Sequence, residues 1–207
     1  MIKVENVDVF NFEGAIRGMR NPMNSWDKSD SYHETFGHYI IGKNDLNLMR
    51  TLYNAGSEHR KYLRQIFVSM DITAPLYWWK EFDTYKIGTT ADSCSTMHKI
   101  HAKEFELDDF SHEHLSEDVI RNPLNATINC LNFFRELYLQ HKDKDDWWQM
   151  IQLLPSSYNQ KRTVTFTYEN VVTMIRQRTG HKLDEWNDFV SILKSLPYVQ
   201  EIIKIVE

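Results

Sequence analysis

Ile66-Phe67-Val68-Ser69-Met70-Asp71-Ile72-Thr73-Ala74-Pro75-Leu76-Tyr77-Trp78-Trp79-Lys80-Glu81-Phe82 is the stretch whose reading decides the fold. Ile66, Val68, Met70 and Ile72 alternate with Phe67, Ser69, Asp71 and Thr73, the period of a strand with one apolar face. Pro75 fits the first turn of a helix that continues through Trp78, Trp79 and Phe82. A strand that runs straight into a helix points to a sheet-and-helix protein.

Working outward, residues 2–10 alternate through Ile2, Val4, Val7 and Val9, a strand with a slip near Asn6. Arg17 to Asp30 holds so many turn formers that it reads as an ordered loop. Asp45 is placed to cap a helix carrying Leu46, Met49, Leu52 and Tyr53, stopped by Gly56. Thr84 to Thr96 is small and polar, suited to lining a site. Pro123 opens a long helix through Leu124, Ile128, Leu131, Phe134 and Tyr138, and Trp147 to Leu154 forms another that Pro155 ends. Thr163 to Thr167 is a strand with Val164 and Phe166 inward. Val171, Met174, Ile175 and Arg178 continue as a helix, and Trp186, Phe189, Val190 and Leu193 mark the last long one. Strands and helices interleave from end to end, so the expected class is α/β (α+β), in a single domain over residues 1–207. Trp78-Trp79 and Trp147-Trp148 are each expected to turn one ring inward and one outward.

Composition narrows the function classes. The 207 residues are 42% apolar and 26% charged, an ordinary globular balance. A net charge of −5 argues against a general nucleic-acid backbone binder, which needs excess cations, but leaves room for one local positive pocket. Two cysteines, Cys94 and Cys130, read as free thiols in a reducing compartment. No apolar run reaches membrane-span length and the N-terminus lacks a leader pattern, so a cytoplasmic location is expected.

Three stretches together resemble the flavin-dependent thymidylate synthases. Ile72 to Phe82 is similar to that family's strand, Ala-Pro and aromatic-rich helix. Thr84-Tyr85-Lys86-Ile87-Gly88-Thr89-Thr90-Ala91-Asp92-Ser93-Cys94-Ser95-Thr96 lies in the register of its Arg-His-Arg-x-x-Ser signature. Leu154-Pro155 through Arg178, followed by His181 and Glu185-Trp186, resembles its Leu-Pro, strand, helix ending in Arg, His and Gln-Trp. The pattern covers about three-quarters of the chain. Lys86 keeps a cation, Thr89 a hydroxyl, Asp92 a carboxylate and Arg178 a guanidinium. Thr84, Tyr85, Ala91 and Thr96 replace an Arg, a His, an Asn and an Arg; Cys94 stands where a Ser meets the nucleotide, and Gln65 is near the place of a flavin-contacting His.

The resemblance implies a central mixed or antiparallel sheet flanked by long helices, and a homotetramer with sites where subunits meet. It implies FAD as cofactor, folate as carbon donor and methylation of dUMP or a related reaction. Arg178, Lys86, Thr89, Asp92 and Cys94 would then be the nucleotide-binding positions. An always-charged planar fork clamps phosphate in a way Thr cannot, so loss of two Arg and a His weakens such binding unless other cations compensate. Arg17, Arg20, Lys28, His98, Lys99, Lys161 and Arg162 are the candidate replacements, and Arg17, Arg20, Ser25, Lys99 and Arg162 the additional ligand contacts expected.

Each candidate also has a structural reading. Arg178 either reaches a phosphate or snorkels at a helix end, where a cation is favoured anyway. Lys86 and Asp92 flank a Gly88-Thr89-Thr90-Ala91 turn whose small residues let backbone N–H groups approach an anion, or they simply sit in a solvated loop. The polar 17–30 segment is a donor-rich site or a self-satisfying turn network. Cys94 reads better as a small buried residue than as a nucleophile. His98-x-x-His101 and His112-x-His114 lack metal-site spacing, so no metal is expected. Two main functions remain: a flavin-dependent enzyme on a pyrimidine nucleotide, or a catalytically inactive homologue that binds or sequesters a nucleotide or other phosphate-bearing small molecule. A structural subunit of a larger assembly is the third.

Overall fold

The computed structural model describes residues 2–35, 37–116 and 123–204. In chain order the elements are β1 (Lys3–Phe10), α1 (Phe12–Arg20), β2 (Tyr32–His33), β3 (Tyr39–Ile40), α2 (Lys43–Asn54), β4 (Phe67–Pro75) and α3 (Leu76–Phe82). There follow β5 (Thr90–Ser93), α4 (Thr96–Lys99), α5 (Pro123–His141), α6 (Lys144–Leu153), β6 (Asn159–Thr167), α7 (Tyr168–Arg178), α8 (Asp184–Ser195) and α9 (Val199–Ile203). Among the described residues the class is α/β, with a four-stranded antiparallel sheet in the order β1-β4-β6-β5 and a separate β2-β3 hairpin.

β4 alternates as its sequence requires, with Val68, Met70, Ile72 and Ala74 buried. Its antiparallel register with β6 is marked at both ends: the Tyr168 amide donates to the Ile66 carbonyl at 3.0 Å, and the Leu76 amide to the Tyr158 carbonyl at 3.0 Å. The slip expected in β1 is a single left-handed residue, Asn6 at φ 53°. Asn tolerates that conformation better than the valines beside it.

The chain divides into two compact units, the first made of Met1–Glu5, Asp71–Thr84 and Ala91–Thr163, the second of Asn6–Met70, Tyr85–Thr90 and Val164–Glu207. In unit one, Ile100, Phe105, Phe110, Leu124, Ile128, Leu131 and Met150 form an apolar cluster built on α5 and α6. Trp78 and Trp79 are both buried, against the expectation of one ring outward. Trp78 stacks on Phe82 at 5.2 Å, while the Trp79 indole N–H donates to the Gln160 carbonyl at 2.9 Å, so both sides of α3 are covered.

Unit two is built around Ile16, Met49, Leu63, Val68, Tyr168, Trp186 and Phe189, all buried. Here the 17–30 segment departs from the expected loop, because residues 12–20 are helical and place Ala15, Ile16 and Met19 inward. Two glycines in that helix hid it from propensity reasoning. A Cβ at Gly18 would meet Gln65 Oε1 at 2.6 Å, a contact the end of that flexible side chain can relieve by moving. The start of α2 also differs. Gly42 is the residue before it, and Asp30, not Asp45, accepts from its first amides, those of Asn44 at 2.8 Å and Asp45 at 3.1 Å.

Candidate functional site

Arg178 is the last residue of α7, a helix started firmly by a reciprocal cap in which Thr167 and Asn170 exchange side-chain and backbone hydrogen bonds. The guanidinium is half-buried and turned onto aromatic rings. Its Cζ lies 4.6 Å from the Trp186 ring centroid and 5.6 Å from that of Tyr85. Nε donates to the Tyr85 hydroxyl at 2.9 Å, and that hydroxyl in turn donates to Gln177 Oε1 at 2.9 Å. Two rings and a phenol oxygen therefore fix the plane of the fork.

His181 lies beside it, with Nε2 3.2 Å from Arg178 Nη1, while Nδ1 faces the Leu183 amide at 3.2 Å. A neutral imidazole accepts at one nitrogen only. The Leu183 amide donates to Nδ1, so Nε2 is the ring nitrogen that faces the Arg178 guanidinium. Glu185, also buried, brings a carboxylate to the same turn of α8 as Trp186.

The turn after Tyr85 belongs to the same unit. Asn170 Nδ2 donates to the Ile87 carbonyl at 2.9 Å and so pins this turn to the start of α7. Gly88 has φ 75°, and a Cβ there would lie 3.3 Å from Asn170 Oδ1, so glycine suits both backbone and space. Lys86 is exposed. Thr89 Oγ1 is enclosed without a hydrogen-bond partner among the described residues, an arrangement native proteins rarely leave without water or ligand.

Arg20 is not available to a ligand. Its side chain is 4% exposed, and Nε donates to Asp45 Oδ1 at 2.6 Å, Nη1 to the Ser25 carbonyl and Nη2 to the Lys28 carbonyl, both at 3.1 Å. It holds the 21–31 segment closed, with Ser25 a backbone partner in the same network. Asp45 also receives Ser29 and Ser31 hydroxyls at 2.7 and 2.6 Å. Burial pushes the Asp45 carboxyl up, but hydrogen bonds from Ser31, Ser29 and Arg20 and the Arg20 charge outweigh it and hold the pKa below the usual 3.8. Arg17 is exposed, 4.0 Å from Glu13.

The remaining candidates belong to unit one. Asp92, Cys94 and Lys99 are exposed. Cys94 thus corrects the expectation of a buried residue. It follows β5, which lies at the end of the sheet order with all its residues exposed; the Cys94 backbone donates to the Lys161 carbonyl and accepts from Gln160 Nε2. Arg162 lies 4.2 Å over the Trp79 ring, with Nη1 bonded to Asp83 at 2.8 Å and Nε to Gln160 at 3.0 Å, which makes it part of the cover over α3. Among the described residues no group of three or more His, Cys, Asp or Glu is placed to hold a metal, and no helix is long and apolar enough to cross a membrane.

No family model and no curated protein sequence matches the chain. Solved structures do. The flavin-dependent thymidylate synthase ThyX from Helicobacter pylori complexed with FAD and dUMP superposes with a TM-score of 0.69 at 18% identity, over 98% of this chain and 100% of that one. A second structure of that enzyme with FAD and dUMP gives 0.68 at 18% identity, over 97% and 96%. A UMP/dUMP methylase, PolB from Streptomyces cacaoi bound with 5-Br dUMP, gives 0.63 at 14% identity, over 97% and 93%. This chain has the flavin-dependent thymidylate synthase fold.

The geometry adds to the ThyX-like pattern what sequence reasoning missed. Tyr85 was legible only as a lost histidine, yet it is buried and orients Arg178. Gln177 gave no signal, because a helical glutamine is ordinarily a solvated surface residue. The same positions fit poorly to a flavin diphosphate. Thr84 Oγ1 turns back to the Glu81 carbonyl at 2.7 Å and Tyr85 is occupied within unit two, which leaves Lys86 as the one cation of three.

Proposed function

We propose that this chain binds a pyrimidine nucleotide in unit two, as a ThyX-like protein whose flavin clamp has been lost. The observation that carries the reading is the Arg178 guanidinium, oriented by the Tyr85 hydroxyl and the Trp186 ring with His181 Nε2 3.2 Å away. Arg178 and His181 take the phosphate. Exposed Lys86 adds a second cation, and the enclosed Thr89 hydroxyl takes a polar atom of the ligand. Fold likeness to proteins solved with dUMP and 5-Br dUMP supports a pyrimidine nucleotide as the ligand class. Asp92 and Cys94, in unit one, are left out of this site. Calorimetric titration with dUMP and with deoxyuridine tests the reading. The phosphate should tighten binding by at least about tenfold, the scale of one charge-assisted contact of about 1.5 kcal/mol. Equal affinities would sink the phosphate assignment.

A second reading is the full reaction, FAD-mediated methylation of dUMP with folate as carbon donor in a homotetramer. Likeness to structures that contain both FAD and dUMP favours it. Freshly purified protein would then be yellow, or would become so with added FAD; a colourless protein that takes up no FAD leaves the binding reading alone.

A further inference from the structure

Unit one carries a concavity of about 340 Å³ where α4, the end of α5 and the start of α6 meet. Two of its lining residues are aromatic, Tyr138 and Trp147, with Met97 beside them. Four others are basic: His98, His101, Lys142 and Lys144. Among the described residues no carboxylate lines it, although the chain as a whole carries more acids than bases. The acids of the neighbouring turn, Asp143, Asp145 and Asp146, are not in the lining, and Asp143 accepts from the Asp145 amide at 2.9 Å to cap α6.

The local backbone sets the place of Lys142. Lys142 has φ 57°, a conformation for which glycine or asparagine is the usual choice, and its amide closes α5 on the Tyr138 carbonyl at 2.8 Å. Its ammonium thereby lies 5.3 Å from the Tyr138 ring centroid. The Trp147 ring is oriented by its indole N–H, which donates to the Met97 carbonyl at 3.2 Å. His101 packs edge-on to Tyr138 at 4.9 Å, and its Nδ1 is buried without a hydrogen-bond partner among the described residues. Burial, then the charges of Lys142, Lys99 and Arg135, hold its pKa below the usual 6.5.

We propose that this concavity binds a mononucleotide-sized ligand, with a flat ring against Tyr138 and Trp147 and a phosphate on Lys142 and Lys144. Its volume is near the lower bound of small-molecule sites, about 300 Å³, which suits one nucleotide rather than a dinucleotide. Base–aromatic stacking is tolerant of base identity, so the site selects for a phosphate joined to a ring more than for a particular base. The proposal is independent of the Arg178 site.

The test is an amide and indole NMR titration of the full chain with uridine 5′-monophosphate, read at the Trp147 indole N–H, beside titrations with uridine and with inorganic phosphate. Lys142 and Lys144 are both exposed, so the Lys142→Gln/Lys144→Gln variant keeps the fold and leaves Arg178 intact. The nucleotide should shift the Trp147 signal, and the double variant should bind about tenfold more weakly by that signal, the scale of two modest ion contacts. Uridine and phosphate should each act far more weakly than the nucleotide. A Trp147 signal unmoved at millimolar nucleotide, a double variant that responds like the parent, or phosphate alone as effective as the nucleotide would each overturn the proposal. Signals from Tyr85 and Arg178 report the other site separately.

Discussion

Arg20 and Asp45 form the pair on which unit two depends most at the scale of single residues. Both side chains are enclosed, and each stabilises an ion that would otherwise be buried alone. Arg20→Ala should therefore cost about 3–5 kcal/mol, well beyond the effect of an exposed ion pair. Urea unfolding of parent and variant checks this. Arg17→Ala, which removes an exposed cation 4.0 Å from Glu13, should change stability by no more than about 1 kcal/mol in the same assay. The pair also predicts an acid response. The folded Asp45 pKa lies below 3.8, so its contribution is complete above that ordinary value and lost as pH falls through the folded one. Asp45→Asn should flatten stability against pH across the acid limb; an unchanged slope would assign acid sensitivity to other groups. The sequence marked Arg20 as a candidate because polar loops and binding loops share a composition. What separates them is a carboxylate 25 residues later, and no local pattern reports that.

Elements were legible where one period dominated. β4 and the strand part of β6 alternate cleanly because one face of each is buried, and α8 repeats its apolar face from Trp186 to Leu193. α1 was not legible, since its glycines and arginines look like a loop until Ala15, Ile16 and Met19 are seen to be buried together. The 86–89 turn belongs to this scale as well: its position is set by Asn170, at the far side of a strand-to-helix junction. Gly88→Ala must adopt a left-handed backbone and crowd Asn170 Oδ1, a cost of about 1–2 kcal/mol. It should also weaken dUMP binding by moving Lys86 and Thr89. Thr167→Ala removes the cap of α7 and should cost about 1 kcal/mol, with a smaller effect on the nucleotide. Thermal melts with and without dUMP separate the two effects, because bound ligand raises the melting temperature only as far as it binds. Should Gly88→Ala bind dUMP as the parent does, the turn has no part in the site.

The fold of the whole molecule was readable from the order of its elements, which survives substitutions that erase individual motifs. At 18% identity the ThyX-like framework persists over 98% of the chain, while Thr84 and Tyr85 have replaced the residues that identify its chemistry. Likeness of fold therefore does not carry the activity across at these positions. A single domain requires one cooperative transition, so near-ultraviolet and far-ultraviolet signals should unfold together in urea; separated midpoints would make the two units independent. A homotetramer requires a solution mass near four times 24.7 kDa by light scattering, and a monomer mass would remove the intersubunit reading. The central claim concerns one guanidinium, stacked on Trp186 and bonded to Tyr85, with a phosphate as its target. The dissociation constant of dUMP for parent and Arg178→Gln at one fixed ionic strength tests it most directly. The account predicts at least about a tenfold loss, with circular dichroism unchanged, from removal of a charged hydrogen-bond donor. Equal affinity in the two proteins would contradict it.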